Sequence, residues 1–372
     1  MKVLVLGQGE LGWRTAQILA HYPAIEHVLA ADVNPAQEGR TNMVRYGAHL
    51  LGLKTAVAFR TLDALDESAV RDLLDEYRPD AVINTASLQS WWLIQQLPRE
   101  TWETIHSAGL GVWLPAHLAP AYVLMKALRE AGQSPLVVNM AFADVVNVML
   151  HRVGLSPTMG AGNIEELVAP FSRTVAQERG IDPERVRVRL VGHHWVNAAV
   201  LESRLVQDIP IIVHVEADGH VITDELDVPS LLLEATQAFP PGFEDTYLIA
   251  ASASHKLLAA HGLAPVIGHA TGFDGLPGGY PVRLTAGVPE LDLPNDVSAD
   301  DAVAVNLEGQ RRDGVESIEE DGEAVLTDHA RAVMREVLGW EYGSYRVEDS
   351  PDMAREITSR YREFAAPLLR AV

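Results

Sequence analysis

Residues 2–12 read Lys-Val-Leu-Val-Leu-Gly-Gln-Gly-Glu-Leu-Gly, and this stretch decides the fold. A buried apolar strand runs directly into the first glycine, and a helical pattern follows from residue 11 to residue 22. The order of strand, GxGxxG and helix is typical of a dinucleotide-binding turn. Gly7 permits the tight turn, Gly9 lets a pyrophosphate approach the backbone, and Gly12 lets the helix pack closely on the strand.

An acidic residue follows the second predicted strand, which extends from His27 to Ala31. This residue, Asp32, lies 20 positions after Gly12. A carboxylate at this point can accept both ribose hydroxyls and repels a 2′-phosphate, so NAD is the expected cofactor. Arg40 nearby leaves NADP as an alternative. We expect contacts to the cofactor from Gly7, Gln8, Gly9, Glu10, Leu11, Gly12, Asp32, Thr85, Ala86 and Asn139.

Short apolar runs alternate with amphipathic stretches through the first half of the chain. This pattern predicts an α/β fold, with an N-terminal Rossmann domain over 1–150 built on a doubly wound parallel sheet. Past residue 150 longer strands and a hairpin turn at Asp218-Gly219 predict a mixed α+β domain over 151–372. We expect that second domain to supply the substrate-binding and catalytic residues. The strands are predicted at 2–6, 27–31, 55–59, 81–85, 136–141, 185–191, 209–217, 220–223 and 280–285, and the helices at 11–22, 66–77, 121–131, from about 144, and at 230–238, 247–261, 327–338 and 351–369.

Composition excludes several classes of protein. The 372 residues include 29 Lys and Arg against 51 Asp and Glu, a formal charge of −22, which disfavours binding to nucleic acid. There is no cysteine, which excludes disulfides, thiolate metal sites and cysteine nucleophiles. Neither a signal peptide nor a membrane-spanning run is apparent, so a cytoplasmic protein with a small-molecule substrate is expected.

Three short runs carry a resemblance to a known family. They are Asn139-Met-Ala-Phe-Ala-Asp144, Gly160-Ala-Gly162-Asn163-Ile-Glu165 and Gly192-His-His194. They resemble the Asn-Pro-x-Asp turn, the Gly-x-Gly-x-x-Leu-Asp segment and the Gly-x-His turn of the lactate/malate dehydrogenase superfamily, which also contains the NAD-dependent family 4 glycosidases. The run Asp32-Val-Asn-Pro is similar to the acidic strand end of the same superfamily.

The resemblance implies roles for three residues. His194 would be the acid/base that exchanges a proton with a substrate hydroxyl or carbonyl while hydride moves to or from nicotinamide. Glu165 would orient the imidazole, and Asn139 would bind the substrate oxygen or the nicotinamide ribose. A homodimer is expected by analogy. We expect no metal site, because adjacent histidines such as His193 and His194 point to opposite faces when they end a strand.

The sequence also departs from the family. Val168 stands where 2-hydroxy-acid dehydrogenases place the arginine that clamps a substrate carboxylate. Four tryptophans instead suggest a larger or less charged ligand: Trp91, Trp92, Trp102 and Trp113. Family 4 glycosidases bind their metal with a cysteine, which this chain lacks. Two further candidates for the site are His117 and the run Gly278-Gly-Tyr280-Pro-Val-Arg283.

Alternative functions remain open from the residues alone. Tyr122 and Lys126 have the Tyr-x3-Lys spacing of short-chain dehydrogenases, in which the lysine lowers the pKa of the tyrosine. A saccharopine- or opine-type reductase acting on a C–N bond needs the same cofactor turn and the same kind of acid/base. A non-catalytic sensor that binds NAD(H) is the alternative outside enzymes.

Overall fold

The amino-terminal strands form a parallel sheet. The structure is a computed structural model that describes residues 1–237, 239, 244–285 and 287–369. The pairing order is β3-β2-β1-β4-β5-β6, with every neighbouring pair parallel. This is the strand order of a doubly wound Rossmann sheet, so the predicted fold class is confirmed. The strands are β1 (Lys2–Leu6), β2 (His27–Asp32), β3 (Ala56–Thr61), β4 (Ala81–Asn84), β5 (Leu136–Asn139) and β6 (Met159–Gly160).

Helices connect these strands. Asp66 shows how the sequence starts one of them: its side chain accepts hydrogen bonds from the backbone N–H groups of Ser68 and Ala69 at 3.1 and 3.0 Å. That helix ends at Arg78, which has φ 48° and precedes a proline. The helices are α1 (Glu10–Ala20), α2 (Glu38–Leu50), α3 (Glu67–Tyr77), α4 (Trp91–Gln95), α5 (Arg99–His106), α6 (Leu114–Glu130) and α7 (Ala143–Arg152).

The later strands extend the same sheet in antiparallel fashion. Thr271 of β10 pairs with Gly160 of β6, and from there the order continues β10-β11-β7-β8-β9, with β12 beside β11. Asp218 and Gly219 both have positive φ, as a tight hairpin turn requires, and they join β8 to β9 as predicted. The strands are β7 (Val186–Gly192), β8 (Ile211–Ala217), β9 (His220–Val221), β10 (Ile267–Thr271), β11 (Gly279–Thr285) and β12 (Val288–Leu291).

The remaining elements complete the mixed α+β half. A separate small sheet consists of β13 (Val315–Ile318), β14 (Ala324–Leu326) and β15 (Ser344–Tyr345). The helices are α8 (Glu165–Arg179), α9 (His194–Leu201), α10 (Val228–Gln237), α11 (Thr246–Ala260), α12 (Ala299–Arg312), α13 (Asp328–Leu338) and α14 (Ser350–Leu369). The predicted helix at 230–238 ends on a residue outside the described ones.

Packing links the two halves of the chain. Helix α14 lies along α6, and one hydrophobic core contains Trp113 and Val145 from the first half together with Trp340 and Ile357 from the second. The segment after residue 315 therefore stabilises helices of the Rossmann half. The boundary between two domains at residue 150 stays a prediction.

No single described helix has the length and hydropathy needed to cross a bilayer. One pair of helical segments, Arg99–His106 and Leu110–Glu130, meets the length and composition criteria when the two are taken together. The angle between these two segments is 89°.

Candidate active site

A cavity of about 750 Å³ lies at the carboxyl ends of β1, β4 and β5. Leu11 and Thr85 line it beside the glycine turn, and His194 and Asp313 line it on the side of the second half. One continuous space therefore joins the turn at the start of α1 to the histidine at the start of α9. Open α/β sheets place their ligands at this edge.

The glycine turn has the geometry that the sequence predicts. Gly7 has φ +91°, and a Cβ on Gly12 would lie 1.9 Å from the carbonyl oxygen of Gly7, so neither position accepts a larger residue. A Cβ on Gly9 would meet nothing within 4 Å, so the space beside that backbone is free for a ligand. Gly9 is the N-cap of α1 and brings no side-chain cap to the helix N–H groups, which suits an anion there.

Asp32 stands beside this turn at the end of β2. Its carboxylate accepts hydrogen bonds from the backbone N–H groups of Gln8 at 2.6 Å and Asn34 at 2.8 Å. Arg40 reaches the same turn, where it donates to the carbonyl oxygen of Gln8 at 3.2 Å and pairs with Glu10. The open space at Gly9, the uncapped helix and this carboxylate fit the pyrophosphate and the ribose of a dinucleotide.

Three other predicted cofactor residues make hydrogen bonds within the protein at the glycine turn and at the end of β4. Gln8 is fully buried and donates from Nε2 to the carbonyl oxygen of Gly7 at 2.8 Å. The Thr85 hydroxyl donates to the carbonyl oxygens of Leu6 and Gly7, at 3.1 Å in both cases. Ala86 follows at the end of β4, and its backbone N–H donates to the Asn84 side chain at 3.3 Å. These groups hold the loop in shape through hydrogen bonds within the protein.

His194 is the first residue of α9, and its side chain is 23% exposed toward the cavity. Its Nδ1 lies 2.9 Å from Oδ2 of Asp313, and its backbone N–H donates to Oδ1 of the buried Asp144 at 3.0 Å. Burial alone would lower the pKa of His194. The negative charge and hydrogen bond of Asp313, with the charge of Asp144, outweigh burial and raise that pKa to about 9.

The adjacent histidine also approaches Asp313: Nδ1 of His193 lies 3.5 Å from Oδ2 of that residue. His193 is completely buried, and its Nδ1 accepts a hydrogen bond from the backbone N–H of Trp195 at 3.3 Å, which caps α9. Burial lowers the pKa of His193. Within the described residues no cluster of histidine, aspartate or glutamate has the arrangement of a metal site.

The carboxylate that contacts His194 is Asp313, whereas the sequence analysis expected Glu165. In the structure Glu165 pairs with Lys256 and accepts a hydrogen bond from Ser252, both on α11. The reason is the direction of the first turn of α8, which points Glu165 away from α9. Asp313 follows the end of α12, 119 positions after His194, and no local motif in the sequence marks it.

Asn139 also differs from its expected role. It is buried, its Oδ1 accepts from Asn84 at 2.9 Å, and its Nδ2 donates to Asn147 at 2.8 Å. It is absent from the cavity lining, where its neighbours Met140 and Ala141 lie instead. As the last residue of a central strand, Asn139 ties β4 and α7 together beneath the site.

A second carboxyl group, which no sequence motif singled out, also lines the cavity. Glu166, next to Glu165, is 4% exposed and accepts a hydrogen bond from Nδ2 of Asn197 at 3.3 Å. Burial raises its pKa to about 8, and the nearby charge of Asp245 adds to the shift. Glu166 is therefore mostly protonated at neutral pH. An acid at the start of a helix that follows a glycine-rich turn was the available signal, and it fitted both glutamates equally.

Several buried polar atoms of the cavity wall have no hydrogen-bond partner within the protein. Both ring nitrogens of His117 are unpartnered, and so are Nε2 of Gln89 and Oδ1 of Asn197. Burial lowers the pKa of His117 to about 4, so this ring is neutral at pH 7. Buried polar groups normally find partners, so unpartnered ones facing a cavity mark where a ligand or water binds.

The other predicted candidates divide between the cavity and the rest of the fold. All four tryptophans line the cavity: Trp91, Trp92, Trp102 and Trp113. Tyr122 and Lys126 do not, and Lys126 instead pairs with Glu67 at 2.7 Å on the outer side of α6. The run from Gly278 to Arg283 belongs to β11 and its entry, away from the cavity.

No family model matches the sequence. Solved structures do match. The malate dehydrogenase from Aeropyrum pernix is 13% identical with a TM-score of 0.58, over 84% of this chain and 97% of that chain. The lactate dehydrogenase from Cryptosporidium parvum, complexed with lactic acid and nicotinamide adenine dinucleotide, is 15% identical with a TM-score of 0.59, over 83% of this chain and 94% of that chain.

A third match is the lactate dehydrogenase from Eimeria maxima with NADH and oxamate. It is 13% identical with a TM-score of 0.57, over 82% of this chain and 91% of that chain. The likeness thus extends from the Rossmann half well into the second half, and it confirms the resemblance at the level of the fold. This chain has the fold of the lactate and malate dehydrogenases.

Proposed function

We propose that this chain is an NAD(H)-dependent oxidoreductase in which His194 exchanges a proton with the substrate. The observation that carries the proposal is the single cavity that reaches from the glycine turn to the His194–Asp313 pair. Two lactate dehydrogenases of the same fold hold NAD or NADH together with lactic acid or oxamate. That likeness is an analogy of fold, and the site residues of this chain supply the physical argument.

The proton step follows from the geometry of the pair. Asp313 binds Nδ1 of His194, which leaves Nε2 for the substrate. NAD(H), held by the backbone at Gly9 and by Asp32, would supply the hydride acceptor or donor for the substrate carbon. In oxidation of an alcohol, Nε2 would accept the hydroxyl proton. The electrons of the O–H bond would form the C=O bond, and the hydrogen of the C–H bond would leave with its electron pair as hydride. In reduction, protonated His194 returns that proton to the oxygen.

The charge state of His194 favours one direction near neutral pH. With a pKa of about 9, the imidazole is protonated at pH 7 and acts as an acid toward a carbonyl oxygen. Oxidation needs the neutral imidazole and is expected to accelerate as the pH rises toward 9. Asp313 stabilises the charged form, as carboxylates do in other His–Asp pairs.

The substrate is proposed to differ from a small 2-hydroxy acid. Val168 packs among the apolar side chains around Leu190 and Val196, so the arginine clamp of the family is absent at its usual position. Whether the reacting bond is C–O or C–N, the same acid/base serves, and a saccharopine- or opine-type reaction stays the alternative. Tyr122 and Lys126 lie off the cavity, which disfavours the short-chain mechanism. A cytoplasmic homodimer remains an expectation by analogy.

Calorimetric titration of NAD(H) and NADP(H) tests the cofactor first. Wild type is expected to bind NAD(H), and Asp32→Ala is expected to bind it about 10- to 100-fold more weakly, since hydrogen bonds to a charged group contribute about 1.5–3 kcal/mol. Asp72→Ala, on the exposed face of α3, is the matched control and should bind like wild type. No binding of either cofactor by wild type would refute the proposal.

His194→Asn then separates an enzyme from a sensor. The variant should bind NAD(H) like wild type, because His194 contacts Asp313 at the far side of the cavity. Turnover of any substrate found by screening should fall by about 10²–10⁴-fold, the usual contribution of a positioned acid/base. Turnover that survives this substitution would contradict the role of His194.

A further inference from the structure

Aromatic rings line part of the cavity that also contains His194. Trp91 and Trp92 meet edge to face with ring centroids 5.9 Å apart, and Trp102 stacks on His106 at 4.7 Å. We call Trp91, Trp92 and Trp102 the tryptophan wall; all three line the cavity. Indole faces carry negative electrostatic potential and attract cations as well as apolar groups.

Carboxyl groups line the cavity near these rings. Glu202 accepts a hydrogen bond from Gln95 at 3.4 Å and lies 3.7 Å from Nδ1 of His106, the ring on which Trp102 stacks. Asp245 also lines the cavity, and its Oδ1 is buried without a partner. Together with Glu166 these residues form what we call the acidic wall: Glu166, Glu202 and Asp245.

Few basic side chains lie near the acidic wall. Of the described lining residues none is a lysine, and the guanidinium of Arg204 is held by Thr236 Oγ1 at 2.8 Å and the carbonyl oxygen of Leu233 at 3.1 Å. The charge of His194 is already matched by Asp313. Among the described lining residues, only His106 therefore lies within ion-pair distance of the acidic wall.

The pKa values of the three carboxyls are all raised, so the partners of their ionised forms do not offset burial. Burial raises the pKa of Glu166, and the charge of Asp245 raises it further. Burial likewise raises the pKa of Glu202, to which Asp245 also contributes, and burial raises that of Asp245 itself. A positive charge placed among these groups would relieve their repulsion.

Unpartnered acceptors give an independent indication of the ligand. Oδ1 of Asn197, a residue that is 8% exposed, has no donor, and the neutral ring of His117, also 8% exposed, offers one acceptor nitrogen. Both line the cavity. With Oδ1 of Asp245 these are three acceptors without a donor, and the same lining holds two donors without an acceptor, Nε2 of Gln89 and the second ring nitrogen of His117. An ammonium group has three donors and no acceptor.

We infer that the substrate carries an ammonium group, bound between the tryptophan wall and the acidic wall. The inference deepens the proposed function, because it names the chemical class that His194 and the cofactor would act on. It also explains why an arginine clamp is lacking: an organic amine needs carboxylates and aromatic faces where a hydroxy acid needs a guanidinium.

Three probes with four carbon atoms each and different charge test this inference: n-butylammonium, butan-1-ol and butanoate. Each is titrated calorimetrically into the full chain, with and without saturating NADH. Butylammonium is expected to bind at least about tenfold more tightly than the other two, a difference of ~1.4 kcal/mol. Because the cofactor-free titration needs no hydride transfer, a chain that fails to bind NADH and one that shows no preference for the amine are separate results.

Charge-removing variants locate the site. In Glu202→Gln/Asp245→Asn the preference for butylammonium should fall about tenfold or more. The double variant Glu67→Gln/Asp72→Asn removes the same charge from α3, outside the cavity, and should keep it. Asp245→Asn alone should give an intermediate loss if the double variant does not fold. Equal or tighter binding of butanol or butanoate, no binding of butylammonium, or a preference that survives in Glu202→Gln/Asp245→Asn would each overturn the inference.

Discussion

Glu165 and Glu166 are neighbours in the first turn of α8, yet they occupy opposite environments. Glu165 pairs with Lys256, which is completely buried, and with Ser252. Burial would raise the pKa of Glu165, but the charge and hydrogen bond of Lys256, the charge of His269 and the hydrogen bond of Ser252 together outweigh burial and lower that pKa. Glu166 lines the cavity without a cation, and its pKa rises to about 8. One carboxyl is an ionised structural partner and the other a neutral acid available to a ligand.

Helix geometry explains the contrast. Consecutive residues of an α-helix point about 100° apart, so Glu165 faces α11 while Glu166 faces α9 and the cavity. Ser252 and Lys256 stand four residues apart on α11 and meet the same carboxylate from one helix face. Both positions hold the same type of residue, a glutamate. What decides the chemistry is which neighbouring helix brings a cation.

Removing Lys256, the cation that pairs with Glu165, should have the largest effect on stability. Lys256→Met leaves Glu165 buried without its partner, and breaking a buried ion pair costs about 3–5 kcal/mol. The free energy of unfolding, measured by urea denaturation, should fall by that amount.

The double variant Lys256→Met/Glu165→Met is the control for this change. Replacing both charges by apolar groups of similar size is often nearly neutral, so the double variant should recover most of the stability. A loss in Lys256→Met of less than about 1 kcal/mol, the range of an exposed pair, would show that the pair is not buried as described.

The second largest effect on stability is expected at the His194–Asp313 pair. The folded pKa of His194, about 9, exceeds its usual 6.5, so the stabilisation from Asp313 is fully present below pH 6.5 and is lost as the pH rises through 9. Asp313→Asn should therefore destabilise the chain most at acidic pH, and the difference from wild type should shrink toward pH 9. Urea denaturation at a series of pH values measures it.

A difference between wild type and Asp313→Asn that does not change with pH would contradict a raised pKa of His194. The imidazole can also be followed directly by NMR, where its titration midpoint should move down in the variant. Asp72→Asn, on the surface of α3, is the matched control and should leave that midpoint in place.

A smaller effect of the same kind should appear at Glu166. Because its folded pKa is raised from 4.5 to about 8, the folded chain binds more protons than the unfolded chain in that interval, and stability falls with rising pH there. Glu166→Gln removes this fall, so the variant gains on wild type from pH 4.5 to 8. Glu165→Gln should do the opposite in a lower interval: because the folded pKa of Glu165 is lowered, the variant should lose stability relative to wild type as the pH rises to 4.5, and the difference should stay constant above it. Parallel pH profiles for the two variants would refute the contrast.

The sequence predicts the cofactor half well because its signals are local. The strand, the three glycines and Asp32 lie within 31 residues of one another, and backbone geometry alone dictates where the glycines are required. The parallel strand order follows from the alternation of apolar runs and amphipathic helices. The position of His194 could also be recognised from the sequence, since it follows a clear strand in a glycine-containing turn.

The partner of His194 could not be predicted, because the contact between the two residues depends on packing between distant parts of the chain. Asp313 reaches it only through the placement of α12, a helix that the sequence analysis did not predict, and the contact spans 119 positions. The distinction between Glu165 and Glu166 needs the phase of α8 and the position of α11, neither of which is local. Asn139 fitted a motif by residue type, but its burial between Asn84 and Asn147 depends on packing.

The smallest effect is expected where a carboxylate has a cation but no burial. Lys126 pairs with Glu67 on the outer side of α6, with the two side chains 27% and 48% exposed. Such surface pairs contribute about 0–1 kcal/mol, so Lys126→Met should unfold almost like wild type. Its cofactor affinity and turnover should also be unchanged, because Lys126 does not line the cavity. A loss of turnover with NAD(H) binding intact would instead support the Tyr122–Lys126 mechanism of short-chain dehydrogenases, and the acid/base would have to be sought on α6 rather than at the start of α9.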